Sequence, residues 1–151
     1  MLGVAKQALT KAIADLASKS QFAVLFGGPE PGMIKKFPEN GNPVEATEAQ
    51  KKSARGFLAT APVDGTPSVA VDFIAALRSA EKLTTKSKAI IYVGRGIISD
   101  DTPERVLQKI TAENKLKVKV SVLGIAPYPA EEDFLKKLAT ANGGTYTRIE
   151  E

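Results

Sequence analysis

The chain has 151 residues, 43% apolar and 25% charged, which suits one compact domain able to bury a core without cross-links. It contains neither cysteine nor histidine, which excludes disulfides and thiolate chemistry and removes the usual general base and the commonest transition-metal ligand. A net charge of +4, 6% aromatics and no tryptophan give no sign of the clustered cations and stacking rings of a nucleic-acid binder, so no nucleic-acid partner, no cofactor and no catalysis are expected.

From Leu2 to Leu16 the pattern is helical, with Leu9, Ala12, Ile13 and Leu16 at i, i+3, i+4 and i+7. Lys6 and Lys11 interrupt any apolar leader, and no run approaches the ~20 apolar residues of a membrane span, so no membrane partner is expected either. Phe22 to Phe26 is a continuous apolar run closed by Gly27 and Gly28, as a strand buried on both faces reads. The Gly- and Pro-rich stretch 27–43 reads as loop, with a short edge strand over Met33 to Phe37. Thr47 and Gln50 open a helix to about Thr60 in the manner of a capping box.

Asp64-Gly65-Thr66-Pro67 is a turn into the next helix, with Thr66 expected to cap it and Pro67 at its first position. Ala70, Phe73, Ile74 and Leu77 share that helix's apolar face. Ala89 to Val93 reads as a buried strand, Asp101 to Glu104 as a helix start, and Val118 to Ile125 as a third strand. A last helix over Glu131 to Ala141 ends at Asn142-Gly143-Gly144 as a left-handed cap would, before a closing strand from Thr145 to Ile149. Strands alternating with helices predict an α/β, doubly wound, mostly parallel sheet with helices on both faces.

Four stretches taken together resemble a von Willebrand factor A-like domain of bacterial type, covering nearly the whole chain. They are Val4 to Leu9, Phe22 to Phe26, Asp64-Gly65-Thr66 before an Ala-rich helix, and Ala89 to Asp101 followed by Phe134-Leu135 and Asn142 to Tyr146. The resemblance implies a Rossmann-like fold and a Mg²⁺ site built from an Asp-x-Ser-x-Ser motif after the first strand, a Thr in the Gly-Thr turn and an Asp after the fourth strand. The first strand and its motif are absent here, because residue 1 already falls in the helix that follows them. Thr66 matches the Thr position, and Arg95 falls on the Asp position. A guanidinium has no lone pair to give a metal, so the expectation is that no metal binds.

The missing strand would lie at the centre of the sheet. Three arrangements follow: the chain is part of a longer protein, its second and fourth strands pair directly, or another copy fills the gap, by strand exchange or as a homodimer.

Arg95, between Gly94 and Gly96, is the leading partner-binding candidate, either taking a partner's carboxylate or pairing internally with Asp64, Asp100 or Asp101. Asp64, Thr66, Ser99, Asp100 and Asp101 are the other candidates on the same edge. The last three also suit capping of the following helix. Lys86, Lys88, Lys115, Lys117 and Lys119 would gather at the opposite, N-terminal edge, as a basic patch or as a solvated border against aggregation. The functional expectation is a non-catalytic protein-interaction domain without metal-dependent adhesion. The alternative is a small-molecule or nucleotide-binding Rossmann-like module. Gly27 to Gly32 mimic a phosphate loop, but Met33 and Ile34 stand where Lys and Ser/Thr would be required.

Overall fold

The structure, a computed structural model, describes residues 2–27, 33–61, 68–98 and 101–150, with Leu2 described by its backbone alone. Its helices and strands gather around two apolar clusters. The smaller holds α1 (Leu2–Ala14) against α2 (Glu48–Thr60). Ile13 is buried there, with Leu9 and Leu16 packed beside it, so the N-terminal stripe faces the core as its spacing predicts. Thr47 caps α2 by accepting the Gln50 N–H at 3.3 Å. Each of the two helices also caps the other's C-terminal end. Lys6 Nζ donates to the carbonyls of Ala59 and Ala61, both at 3.0 Å, and Lys51 Nζ donates to Ala14 at 3.1 Å. Carbonyls at a helix C-terminus have no partner within the helix and carry partial negative charge, which an ammonium satisfies.

The apolar run expected as one strand breaks at Ala23 into β1 (Gln21–Phe22) and β2 (Val24–Gly27). Neither lies in a parallel sheet. β2 pairs antiparallel with β3 (Ile34–Phe37), and β1 with β4 (Val44–Glu45). The neighbouring segment in sequence supplies the partner, and Phe37 brings its ring to 6.0 Å from Phe22 and 6.2 Å from Phe57. A continuous apolar run reports burial but not the identity of its partner.

The larger cluster is α/β in the expected sense. β5 (Ala89–Gly94), α4 (Pro103–Glu113), β6 (Lys119–Ile125), α5 (Pro129–Ala141) and β7 (Tyr146–Ile149) alternate along the chain, and the strands form a parallel sheet in the order β5-β6-β7. The register sets Ile90 beside Val120 and Tyr92 beside Val122, facing the core made with Phe73 and Leu77 of α3 (Val69–Glu81) and with Val106, Ile110 and Leu138. Ile74, expected with them, is only partly buried.

Two helix starts differ from expectation. Ser68, not Thr66, caps α3, its Oγ accepting the Val71 N–H at 3.4 Å, and the helix begins at Val69. Either hydroxyl has the chemistry; Ser68 stands immediately before the apolar periodicity. Helix α5 begins at Pro129, which makes Glu131 its third residue instead of its first. Its end is as expected: Gly143 takes φ +68, and the Gly144 N–H donates to Ala139 at 2.9 Å. A Cβ on Gly144 would lie 1.8 Å from the Val120 carbonyl oxygen, so no larger residue fits.

Direct pairing of the second and fourth strands is not found. Among the described residues β2 and β5 belong to different sheets, and α3 touches both. β5 is thus an edge of its sheet. Its residues are at most partly buried, Tyr92 and Ile90 by the inner face, and Ile91 is 48% exposed, whereas Val120 and Val122 in the neighbouring strand are fully buried.

Candidate functional site

Open parallel sheets present ligand-binding loops beyond the carboxyl ends of their strands. At the end of β5 the chain turns through Gly94-Arg95-Gly96. Gly96 takes φ +80, and a Cβ there would meet the Leu135 side chain at 2.8 Å, so the turn requires glycine and sets the direction of Arg95. The Arg95 guanidinium lies over the Tyr128 ring, 4.5 Å from its centroid, and its Nε stands 3.8 Å from Glu131 Oε2. The same carboxylate oxygen accepts the Tyr128 N–H at 2.9 Å. Glu131 therefore ties the start of α5 to the end of β5.

Among the described residues Arg95 pairs internally with Glu131, and the expected partners Asp64 and Asp100 lie outside them. The third expected partner, Asp101, is described. Its Oδ1 accepts the Thr102 N–H at 2.7 Å and lies 3.8 Å from Arg105. The cap of α4 is Thr102, which accepts the Arg105 N–H at 3.3 Å, so Asp101 supports the helix start from outside it. Asp64, Thr66, Ser99, Asp100 and the phosphate-loop residues 28–32 lie outside the described residues.

Two further groups stand behind the turn. Tyr92 packs on Phe73 with ring centroids 5.1 Å apart, and burial pushes its phenol up to about 12, against a hydrogen bond with the Gly96 backbone. Asp72, in the first turn of α3, has its carboxyl raised by burial to about 6. In front of the turn, Ile97 is 44% and Tyr128 64% exposed. Tyr92, Asp72, Tyr128 and Glu131 all escape a reading of the sequence. The signal for the last two is the Tyr-Pro-x-Glu spacing after β6, which places a glutamate to reach back to a helix start.

At the N-terminal edge of the sheet the lysines of the two strands divide into two kinds. The Lys119 N–H donates to the Lys88 carbonyl at 3.2 Å, so the two lysine groups share that end of the sheet. But Lys88 turns its ammonium inward to cap α3, donating to Leu83 at 2.6 Å, Glu81 at 3.2 Å and Ala80 at 3.4 Å. It belongs to the scaffold. Lys86, Lys115, Lys117 and Lys119 remain exposed.

No group of three or more carboxylates able to hold a metal occurs among the described residues. A surface hollow of about 160 Å³ lies between α4 and α5 at Leu107 and Phe134, and Arg95 is not part of its lining. That is small beside the roughly 300–1,000 Å³ of ordinary ligand sites.

The profile of the von Willebrand factor type A domain matches residues 2–148. The chain belongs to that family. Solved structures agree on the fold of this von Willebrand A domain. A von Willebrand factor type A protein from Catenulispora acidiphila superposes with a TM-score of 0.81 at 21% identity, over 99% of this chain and 34% of the other. The conserved hypothetical protein BatB from Bacteroides thetaiotaomicron gives 0.68 at 17% identity, over 99% and 80% of the two chains. An aerotolerance-related membrane protein from Bacteroides fragilis gives 0.69 at 15%, over 98% and 80%. The domain spans about a third of the Catenulispora acidiphila chain. No curated protein matches the sequence.

Proposed function

We propose that this von Willebrand A domain is a non-catalytic protein-interaction module that works without a metal ion, through the surface formed by Arg95, Ile97 and Tyr128. The observation that carries this reading is an exposed tyrosine and isoleucine set beside an arginine whose position is already fixed by Glu131. Tyrosine and arginine dominate the energetics of protein interfaces, and side chains held in place before binding lose less entropy on contact. Asp64, Thr66, Ser99, Asp100 and Asp101 are proposed as polar contributors to its rim.

Metal independence rests on the donor set. A permanent cation stands where the family's carboxylate would, and it repels a divalent ion instead of ligating one. Met33 and Ile34, standing where a phosphate loop requires Lys and Ser/Thr, favour the interaction reading over a nucleotide-binding module.

The test is affinity capture on the immobilised domain, in Mg²⁺ and in EDTA, with wild type, Arg95→Ala and Tyr128→Ala. A protein retained equally in both buffers and lost from both variants is expected. Retention only in Mg²⁺, or retention unchanged by either substitution, contradicts the proposal.

A second component of the reading is self-association. The uncharged edge strand β5 carries no lysine, proline or bulge to block pairing, and its residues are buried less than their composition warrants. A second copy that pairs or exchanges a strand there covers it.

A further inference from the structure

We propose that the turn Lys115-Leu116-Lys117, with Lys86 and Lys119, docks this domain on an anionic phospholipid surface. The turn is built, not loose. Asn114 clamps it from within: its Oδ1 accepts the Val118 N–H at 2.7 Å, and its Nδ2 donates to the Val118 carbonyl and to Asn142 Oδ1, each at 2.8 Å. The Lys117 N–H closes the turn onto the Asn114 carbonyl at 3.1 Å. What the clamp presents is Leu116, 53% exposed, between two exposed lysines. Lys117 takes φ +51, a left-handed conformation that a lysine adopts reluctantly and that glycine or asparagine would adopt easily.

A solvated border against aggregation does not account for this arrangement. Lys86 precedes the edge strand β5, but Lys115, Lys117 and Lys119 stand at the start of β6, the central strand of its sheet, where there is no edge to block. Nor are these cations internally neutralised. Arg78, Arg95, Lys136, Lys137 and Arg148 all have carboxylates within 4 Å, but among the described residues Lys86, Lys115, Lys117 and Lys119 have none.

The chemistry of the patch selects its partner. No aromatic ring lies in the 114–119 segment or beside Lys86 in sequence, so bases have nothing to stack on. Lysines around a protruding leucine instead match phosphate groups above an acyl boundary. The contact is peripheral: no helix among the described residues is long and apolar enough to cross a membrane. This departs from the sequence expectation of no membrane partner, and the surface lies at the opposite end of the sheet from Arg95, so its test is independent of the function proposed above.

The experiment is co-sedimentation of the whole chain with vesicles of phosphatidylcholine and phosphatidylserine in equal parts, or of phosphatidylcholine alone. Binding to the anionic vesicles only is expected, abolished by high salt. Each of Lys115→Gln, Lys117→Gln and Lys119→Gln should weaken it about fivefold. Leu116→Ser should weaken it about tenfold with all charges kept, and Lys52→Gln, an exposed lysine of α2, should leave it unchanged. Circular dichroism of each variant confirms that it is folded. Equal binding to both vesicles, no binding, or lysine dependence with no effect of Leu116→Ser overturns the proposal, the last by showing attraction through charge alone, without a turn that docks at the acyl boundary.

Discussion

The guanidinium of Arg95 is held between the face of Tyr128 and the carboxylate of Glu131, at 4.5 Å from the ring centroid and 3.8 Å from the oxygen. The two contacts join the end of β5 to the start of α5, so removing one should change what the other contributes. Arg95→Ala and Tyr128→Ala combined in a double-mutant cycle should give a coupling of ~0.5–1 kcal/mol in urea denaturation. Strict additivity would mean that the arginine and the ring act separately and that the interaction surface is not fixed in advance.

The packing of α3 makes a second, larger prediction. Phe73 is buried between Tyr92 and the rest of the larger cluster, and α3 touches both β2 and β5. Phe73→Ala should destabilise the domain by ~3–5 kcal/mol, the range for removing a buried aromatic side chain. A loss under about 1 kcal/mol would show that the cavity collapses or that the helix faces solvent.

What the sequence made legible divides along the same line as the two clusters. Elements from Ala89 onward follow expectation closely, because strand, helix and glycine signals there agree with one another and the strands pair in chain order, β5 with β6 and β6 with β7. The Phe22 to Phe26 run was harder to place, since its partner β3 lies across a Gly- and Pro-rich loop and apolar composition carries no information about pairing. The arginine turn was visible from its flanking glycines. Its partner was not, because Glu131 becomes a neighbour of Arg95 only once α5 is docked over the sheet. Likewise Lys88 looks from its spacing like any other lysine of the edge, and only the position of the last turn of α3 draws it inward.

The raised carboxyl of Asp72 has a consequence for pH dependence. Its folded value of about 6 exceeds the ordinary 3.8, so the folded state binds more proton between those values and burying the charged form opposes folding above them. Stability should therefore fall as pH rises from about 4 to about 6 and level off beyond. Asp72→Asn should remove that slope and stabilise the domain at neutral pH. The gain should be on the order of 1 kcal/mol, discounted because the group is only half-buried. Urea denaturation at pH 4 and pH 7 measures it, and a variant that keeps the wild-type slope would assign the effect elsewhere.

The exposed edge of β5 should be visible in solution. An apolar strand left unpaired on one side is a template for another strand, so light scattering should give a mass above the 16.0 kDa of one chain and rising with concentration. Ile91→Lys, which places a charge on the exposed face of that strand, should shift the population toward the monomer. A concentration-independent monomer with cooperative unfolding would exclude pairing at this edge.

Metal titration bears most directly on the central claim, that this von Willebrand A domain meets its partner without an ion. Isothermal calorimetry of the chain with Mg²⁺, Mn²⁺ and Ca²⁺ should show no stoichiometric binding, because the arginine at the carboxyl end of β5 is a cation held in place by Glu131 and Tyr128. A one-to-one site that disappears on Thr66→Ala would contradict the account and place the domain among the metal-dependent members of its family.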